Sequence, residues 1–290
     1  MSDFVKLVEV GPRDGLQNQP QLIPTNIKLE LIQRLGDCGL SEIEASSFVS
    51  PKWVPQLADA AQVLAGLQRK AGVRYPVLVP NMQGLERALA AGAREIAVFT
   101  AASEAFNQRN INCDIATSLE RIAPVVAAAQ EQGVPVRGYV SCVLGCPYQG
   151  AVPVAEVVRV RSALRAMGCS EISLGDTIGV GTPQTAAAMF SACAEQLDVA
   201  ELAIHFHDTN GRAMDNVHAC LALGARIVDS AVGGLGGCPY AEGASGNLSS
   251  ERLVEELHAA GFETGVDLAA LQATGVWINA QINAHSQAPA

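Results

Sequence analysis

A chain of 290 residues that is 49% apolar but only 4% aromatic suits helices packed on a parallel sheet better than an aromatic-rich β-sandwich. Its formal net charge of −10 excludes the basic footprint of a protein that tracks a nucleic-acid backbone. No apolar run approaches the about 18 residues of a membrane span, and residues 1–6 lack the pattern of a signal peptide, so a cytoplasmic protein with reduced thiols is expected.

Short β-rich runs alternate with longer helical ones along the chain. The first strand is expected at 5–10 and is followed by a helix at 27–37, where Ile27, Leu31, Ile32 and Leu35 form an apolar stripe at helical spacing. Strands at 41–46 and 76–80 lead to a helix at 83–91, and a strand at 95–100 to a helix at 119–131. The pattern continues with strand 135–140 and helix 154–167, strand 171–176 and helix 185–196, strand 202–207 and helix 212–223, then strand 226–232. Gly39, Gly72, Gly92, Gly133, Gly168 and Gly224 stand where helices must stop, as left-handed C-terminal caps do.

Eight strands in alternation with helices predict a (β/α)8 TIM barrel over about residues 4–235. A glycine-rich loop at 233–247 and a C-terminal helical region at about 249–280 complete a single catalytic domain, 1–290, with an additional helix at 249–260 and a loose tail after 281. An open dinucleotide-binding sheet would carry G-x-G-x-x-G after its first strand; Gly11-Pro12-Arg13-Asp14-Gly15 stands there instead. No lysine follows a glycine, so the phosphate-binding P-loop is absent as well.

In such a barrel the chemistry gathers at the C-terminal ends of the strands. Those ends carry Glu9, Arg13 and Asp14, then Glu44, then Asp176 and Thr177, then His205 and His207, then Asn247 beyond the glycine loop. His205 and His207 are two apart in one strand, so both imidazoles share a face, opposite Ile204 and Phe206. Two imidazoles at that spacing can converge on one cation, with Asp14 adding a carboxylate and Asn247 a neutral oxygen. Nitrogen and oxygen donors without a thiolate favour Mg2+ or Mn2+, with Zn2+, Co2+ and Fe2+ open. Schiff-base chemistry needs a strand-end lysine, but Lys6 lies at the opposite end of its strand and Lys52 in a loop. Cys142-x3-Cys146 has no second pair to complete a zinc site and reads as two buried small residues.

VEVGPRDGLQN (8–18), SSFVSPKWVPQLAD (46–59), HFHDTNG (205–211) and GGLGGCPYAEGASGN (233–247) together closely resemble the 3-hydroxy-3-methylglutaryl-CoA lyase family, from about residue 4 to about 275. The RDG and HxHD pieces belong to a wider superfamily of metal-dependent carbon–carbon lyases and condensing enzymes; the cysteine loop is more specific. The resemblance implies an acyl-CoA substrate cleaved to acetyl-CoA and acetoacetate, and a homo-oligomer, dimer or tetramer. It implies Asp14, His205, His207 and Asn247 as metal ligands, Arg13 at the thioester carbonyl, Cys238 as the active-site thiol, and Glu44 and Asp176 as acidic groups near the substrate. Catalytic work is thus expected of Cys238, Arg13, Asp176, Glu44 and His205. Pro20 departs from the family, many of whose members carry lysine there. A lyase for a longer 3-hydroxy-3-alkylglutaryl-CoA, or a condensing enzyme or aldolase of the superfamily, are the alternatives.

Overall fold

The computed structural model describes residues 3–236 and 246–286. Eight parallel strands form its sheet: β1 (Lys6–Glu9), β2 (Ser46–Ser47), β3 (Val77–Leu78), β4 (Ile96–Ala101), β5 (Val136–Ser141), β6 (Glu171–Asp176), β7 (Leu202–Phe206) and β8 (Ile227–Ser230). Their order, β1-β8-β7-β6-β5-β4-β3-β2, places the first and second strands at the two ends of the ladder. A parallel bridge between Glu9 and Ile43 joins those ends. Glu9 N donates to Glu42 O at 3.0 Å and Glu44 N to Glu9 O at 2.8 Å, which closes the (β/α)8 barrel. The second wall segment is more broken than its sequence suggests: Glu42 and Ile43 pair singly with Arg74 and Glu9, and the regular ladder begins only at Ser46.

Helices α1 (Thr25–Asp37), α2 (Ala60–Gly66), α3 (Met82–Ala90), α4 (Glu104–Ile111), α5 (Ile115–Glu131), α6 (Val154–Met167), α7 (Pro183–Ala194) and α8 (Ala213–Leu221) surround the strands. The six expected glycine stops all adopt positive φ, from 68° at Gly133 to 109° at Gly168. α2 and α4 are short and escaped the periodicity argument. The segment expected as an additional helix, α9 (Ser250–Ala259), is the helix that follows β8 and so belongs to the barrel; the addition is α10 (Leu268–Ser286). Nor does the chain loosen over 282–286, which continue the helix. Leu271, Ile278 and Ile282 are buried at helical spacing, and the Ile282 carbonyl accepts from Gln21 Nε2 at 3.0 Å, which docks the last turn on the loop after β1.

The main hydrophobic core lies between the sheet and the helices and includes Ile204, Phe206, Val228, Leu164, Phe190 and Val217. The inside of the barrel is different. Lys6 reaches Glu171 at 2.7 Å and Arg137 reaches Asp229 at 2.6 Å, each pair on strands that are not neighbours, and Tyr139 Oη of β5 reaches Glu44, just before β2, at 3.1 Å. Barrel interiors are ordinarily layered with branched apolar side chains; here charged and hydroxyl groups span the lumen. A cross-barrel contact can form only between side chains that point inward, so these pairs fix strand orientation as firmly as the apolar outer face does.

Candidate active site

Strand alternation sends Ile204 and Phe206 into the outer core, each at most 2% exposed, and turns His205 and His207 inward at the C-terminal rim. Their ring centroids are 5.4 Å apart. The turn after β1 brings the third group. Amides of Arg13, Asp14 and Gly15 all converge on the Val10 carbonyl, at 3.1, 2.7 and 3.2 Å, forming a single wide turn of π type over Gly11–Gly15. Such turns recur at functional sites because they splay adjacent side chains. One ligand atom from each of Asp14, His205 and His207 lies within 4.8 Å of the others.

The donor chemistry of this cluster fits a cation. His207 Nδ1 is buried and has no hydrogen-bond partner among the described residues. Burial, then the neighbouring His205, pushes the His207 imidazole down to about 4, so it is neutral and keeps a lone pair at physiological pH. Burial acts to raise the Asp14 carboxyl, but Arg13 and the two imidazoles outweigh it and hold it at about 2. Asn247 joins through a bridge to His207; its Nδ2 donates to Asp14 Oδ2 at 2.8 Å and to the Leu235 carbonyl at 3.2 Å. The nitrogen, rather than the oxygen, thus faces Asp14, and ligation by Asn247 requires the amide oxygen to turn toward the ion. Gly236, at φ 135°, lets the chain pass: a Cβ there would lie 2.8 Å from Asn247 Nδ2.

Arg13 is 6% exposed and tightly held. Its Nε and Nη2 reach Glu44 Oε2, each at 2.7 Å, and Nη1 reaches Asp14 Oδ1 at 2.6 Å. A guanidinium has five N–H groups, so these contacts leave two for a ligand. Glu44 is fully buried, and burial raises its pKa against the pull of Arg13. One of its oxygens, Oε1, has no partner among the described residues. Asp176 sits behind the pair: its carbonyl accepts from His207 N at 3.2 Å, while Oδ1 and Oδ2 accept from Val180 N at 3.2 Å and Gly181 N at 2.8 Å. It therefore braces the loop after β6 with one acceptor site on each oxygen. Cys238 lies outside the described residues. The other seven cysteines are free and buried, and Cys142 and Cys146 share a small apolar cluster with Ala101 and Phe106, as expected of packing residues.

Two further groups matter: Asp229, which the sequence did not single out, and Glu9, which it placed at the end of the first strand without a role. Asp229, in the middle of β8, accepts from His205 Nδ1 at 3.2 Å, and Arg137 of β5 lies against it across the barrel. The available signal was parity: a charged residue inside an apolar strand run, at an inward position. Glu9 is the other. Its Oε1 accepts from Gly11 N at 2.8 Å and Val232 N at 2.9 Å, and its Oε2 from Ser250 Oγ at 2.6 Å. It thus ties the turn bearing Arg13 and Asp14 to the start of the glycine loop.

Burial, outweighing the hydrogen bonds from Ser250, Val232 and Gly11, pushes the Glu9 carboxyl up to about 8 from 4.5. The folded chain therefore binds a proton that the unfolded chain releases, so Glu9 contributes stability fully below pH 4.5 and loses it as pH rises through about 8. Glu9→Gln, neutral at every pH, is expected to melt above the unaltered protein at pH 8.5 and to lose that advantage at pH 5. A melting difference that stays constant with pH would show that Glu9 is charged in the fold.

A pair of imidazoles and a carboxylate beside a fixed guanidinium, at the C-terminal rim of a parallel barrel, defines the class: metal-dependent (β/α)8-barrel enzymes. The chain belongs to the HMGL-like family, whose model matches residues 4–278. It is 53% identical over 283 residues to the rat cytoplasmic 3-hydroxy-3-methylglutaryl-CoA lyase, covering 98% of this chain and 82% of the relative. The crystal structure of the HMG-CoA lyase from Brucella melitensis superposes with a TM-score of 0.95 at 55% identity, over 97% of this chain and 99% of the other. That of hydroxymethylglutaryl-CoA lyase from Pseudomonas aeruginosa gives 0.95 at 52% identity, over 97% and 93%.

Proposed function

We propose that this chain cleaves (S)-3-hydroxy-3-methylglutaryl-CoA to acetyl-CoA and acetoacetate, using Mg2+ or Mn2+ held by Asp14, His205, His207 and Asn247. The observation that carries the reading is the convergence of Asp14, His205 and His207 within 4.8 Å, with Arg13 bonded to the same Asp14. When bound there, a divalent ion lowers the pKa of a chelated hydroxyl, as it does that of a water.

Cleavage removes the proton of the 3-hydroxyl, breaks the C2–C3 bond and leaves the electron pair on the thioester as an enolate. The free N–H groups of Arg13 are the chain's donors for that thioester oxygen. Because Glu44 and Asp14 fix both sides of the guanidinium, little reorganisation is needed as negative charge develops. Glu44 Oε1, buried and without a hydrogen-bond partner among the described residues, is the candidate to receive the hydroxyl proton. Asp176 holds the loop beside His207. Cys238 then delivers a proton to C2 of the enolate, completing acetyl-CoA.

The deciding assay is acetoacetate release from the methylglutaryl thioester, with and without Mg2+ or Mn2+, beside a longer-chain analogue. Metal-independent release, or none, overturns the reading; faster turnover of the longer thioester transfers it to the alkyl homologue. The seven described cysteines are free and buried, which fits a reducing, cytoplasmic compartment. No helix among the described residues is long and apolar enough to cross a membrane. A homo-oligomer remains part of the proposal, and sedimentation of the purified chain checks it.

Cys238 supplies a separate prediction. It stands between Gly237 and Pro239 in the glycine loop, unlike the seven buried thiols, so it is expected to alkylate first and to be protected by substrate. Cys238→Ser is expected to lower kcat steeply without changing metal affinity, because a hydroxyl is a far weaker acid than a thiol of pKa about 8.5. Peptide mapping after limited alkylation measures the first point. Normal turnover by the serine variant would pass the proton-donor role to another group.

A further inference from the structure

Between the candidate metal ligands and the floor of the barrel lies a chain of buried groups that the proposed chemistry leaves unused. Arg137 of β5 is its centre and is 5% exposed. Its Nη2 donates to Asp229 Oδ1 at 2.6 Å, its Nη1 to Asp229 Oδ2 at 3.0 Å, and its Nε to Glu171 Oε1 at 2.6 Å. Glu171 is bonded in turn to Lys6 at 2.7 Å. The same Nη1 donates to Tyr139 Oη at 2.8 Å. Two arms leave this centre. On one, Asp229 Oδ2 accepts from His205 Nδ1 at 3.2 Å and from Ser173 Oγ at 2.9 Å. On the other, Tyr139 Oη donates to Glu44 Oε2 at 3.1 Å, and that oxygen holds Arg13 at 2.7 Å.

A fully buried ion pair gives little net stability, because desolvation cancels most of its attraction. Replacing such a pair by apolar residues is often neutral, so this network calls for another reason. Its geometry supplies one. Asp229, paired with a bidentate guanidinium, is an acceptor only, so His205 must place its proton on Nδ1 and keep the Nε2 lone pair for an ion. Carboxylates behind a ligating histidine fix its ring and tautomer in this way. Tyr139 meanwhile packs against both guanidinia, with Arg13 Cζ 5.4 Å and Arg137 Cζ 4.9 Å from its ring centroid. The phenol spaces the two cations and supplies Glu44 with a neutral donor.

We propose that Arg137 is a positioning residue with two separable outputs: through Asp229 it sets the metal ligand His205, and through Tyr139 and Glu44 it sets the thioester-binding Arg13. This rests on the metal site and the role of Arg13 described above. Asp229→Asn can present its amide nitrogen to His205 and thereby favour the wrong tautomer. Tyr139→Phe removes only the hydroxyl that reaches Glu44.

Mn2+ affinity, read from the electron paramagnetic resonance of free Mn2+, and kcat and KM for the thioester separate the two arms. Asp229→Asn is expected to weaken Mn2+ binding by about 10- to 100-fold, the range found when groups behind metal ligands are lost. Tyr139→Phe is expected to bind Mn2+ as the unaltered protein does and to lower kcat with little change in KM. Arg137→Lys keeps the charge but loses the planar fork, and should show both defects. Should Asp229→Asn not fold, Arg137→Lys decides the matter by the same two readouts. Unchanged Mn2+ affinity in Asp229→Asn, or an equal loss of affinity in Tyr139→Phe, overturns the proposal and leaves a merely structural network. A protein that binds no Mn2+ before any substitution sinks the metal-site reading itself, and this proposal with it.

Discussion

Replacing His205 or His207 with alanine is expected to leave a folded barrel and to abolish most of its activity. The fold should survive because neither ring belongs to the packed layer between sheet and helices; Ile204 and Phe206 do that work from the opposite face of the strand. Removing His205 leaves Asp229 still bonded to Arg137 and Ser173, so no buried charge loses its counter-ion. His207 Nδ1 has no hydrogen-bond partner among the described residues to give up. Activity rests on a different quantity. A Lewis acid at the reacting hydroxyl is worth several kcal/mol, and each ~1.36 kcal/mol is a factor of ten in rate, so a loss of about 10³-fold or more is expected. Chelation by EDTA should reproduce the loss and added Mg2+ or Mn2+ should reverse it. Full activity in protein shown by elemental analysis to be free of metal would end the mechanism proposed here.

Arg13→Lys is expected to be nearly as damaging although it conserves charge. The arginine makes three bonds to two carboxylates and still turns N–H groups toward the substrate; a lysine ammonium is a point donor that cannot do both. The interaction strengthens as the enolate forms, so the loss should fall on kcat rather than KM. Losing one donor aimed at developing oxyanion charge costs about 3–4 kcal/mol, which is about 10²- to 10³-fold in rate. Steady-state kinetics settles the point. Normal kcat with a raised KM would reduce Arg13 to a substrate-binding group and leave the enolate to be stabilised elsewhere.

Both predictions use residues that are readable in the chain, because their signals are local. His205 and His207 are two apart on a strand whose other face is apolar, and a two-residue period decides which side chains point inward. Arg13 and Asp14 are adjacent, immediately after the first strand. The glycine stops were legible for the same reason: a positive φ at a helix end is a property of one residue and its neighbours. Short helices such as Ala60–Gly66 offered too few turns for a periodic stripe to stand out. The helix at Leu268–Ser286 was misjudged at its end because its last turn is held by contact with Gln21, 261 residues away.

The amino-acid order by itself therefore determined the number of strands, the face each presents and the family of groups at the rim. What only the tertiary structure decided is which inward side chains meet. Arg137 and Asp229 are 92 residues apart, Tyr139 and Glu44 are 95, and Glu9 and Ser250 are 241. Strand parity says that each of the first four points into the lumen, but their pairing depends on how the closed sheet staggers its strands. Asp176 shows the same limit from the other side. Its position at a strand end marked it as reactive, and the fold commits one acceptor site on each of its oxygens to the amides of Val180 and Gly181. A strand end states where a side chain can act; the turn that follows it settles which atoms it has left to act with.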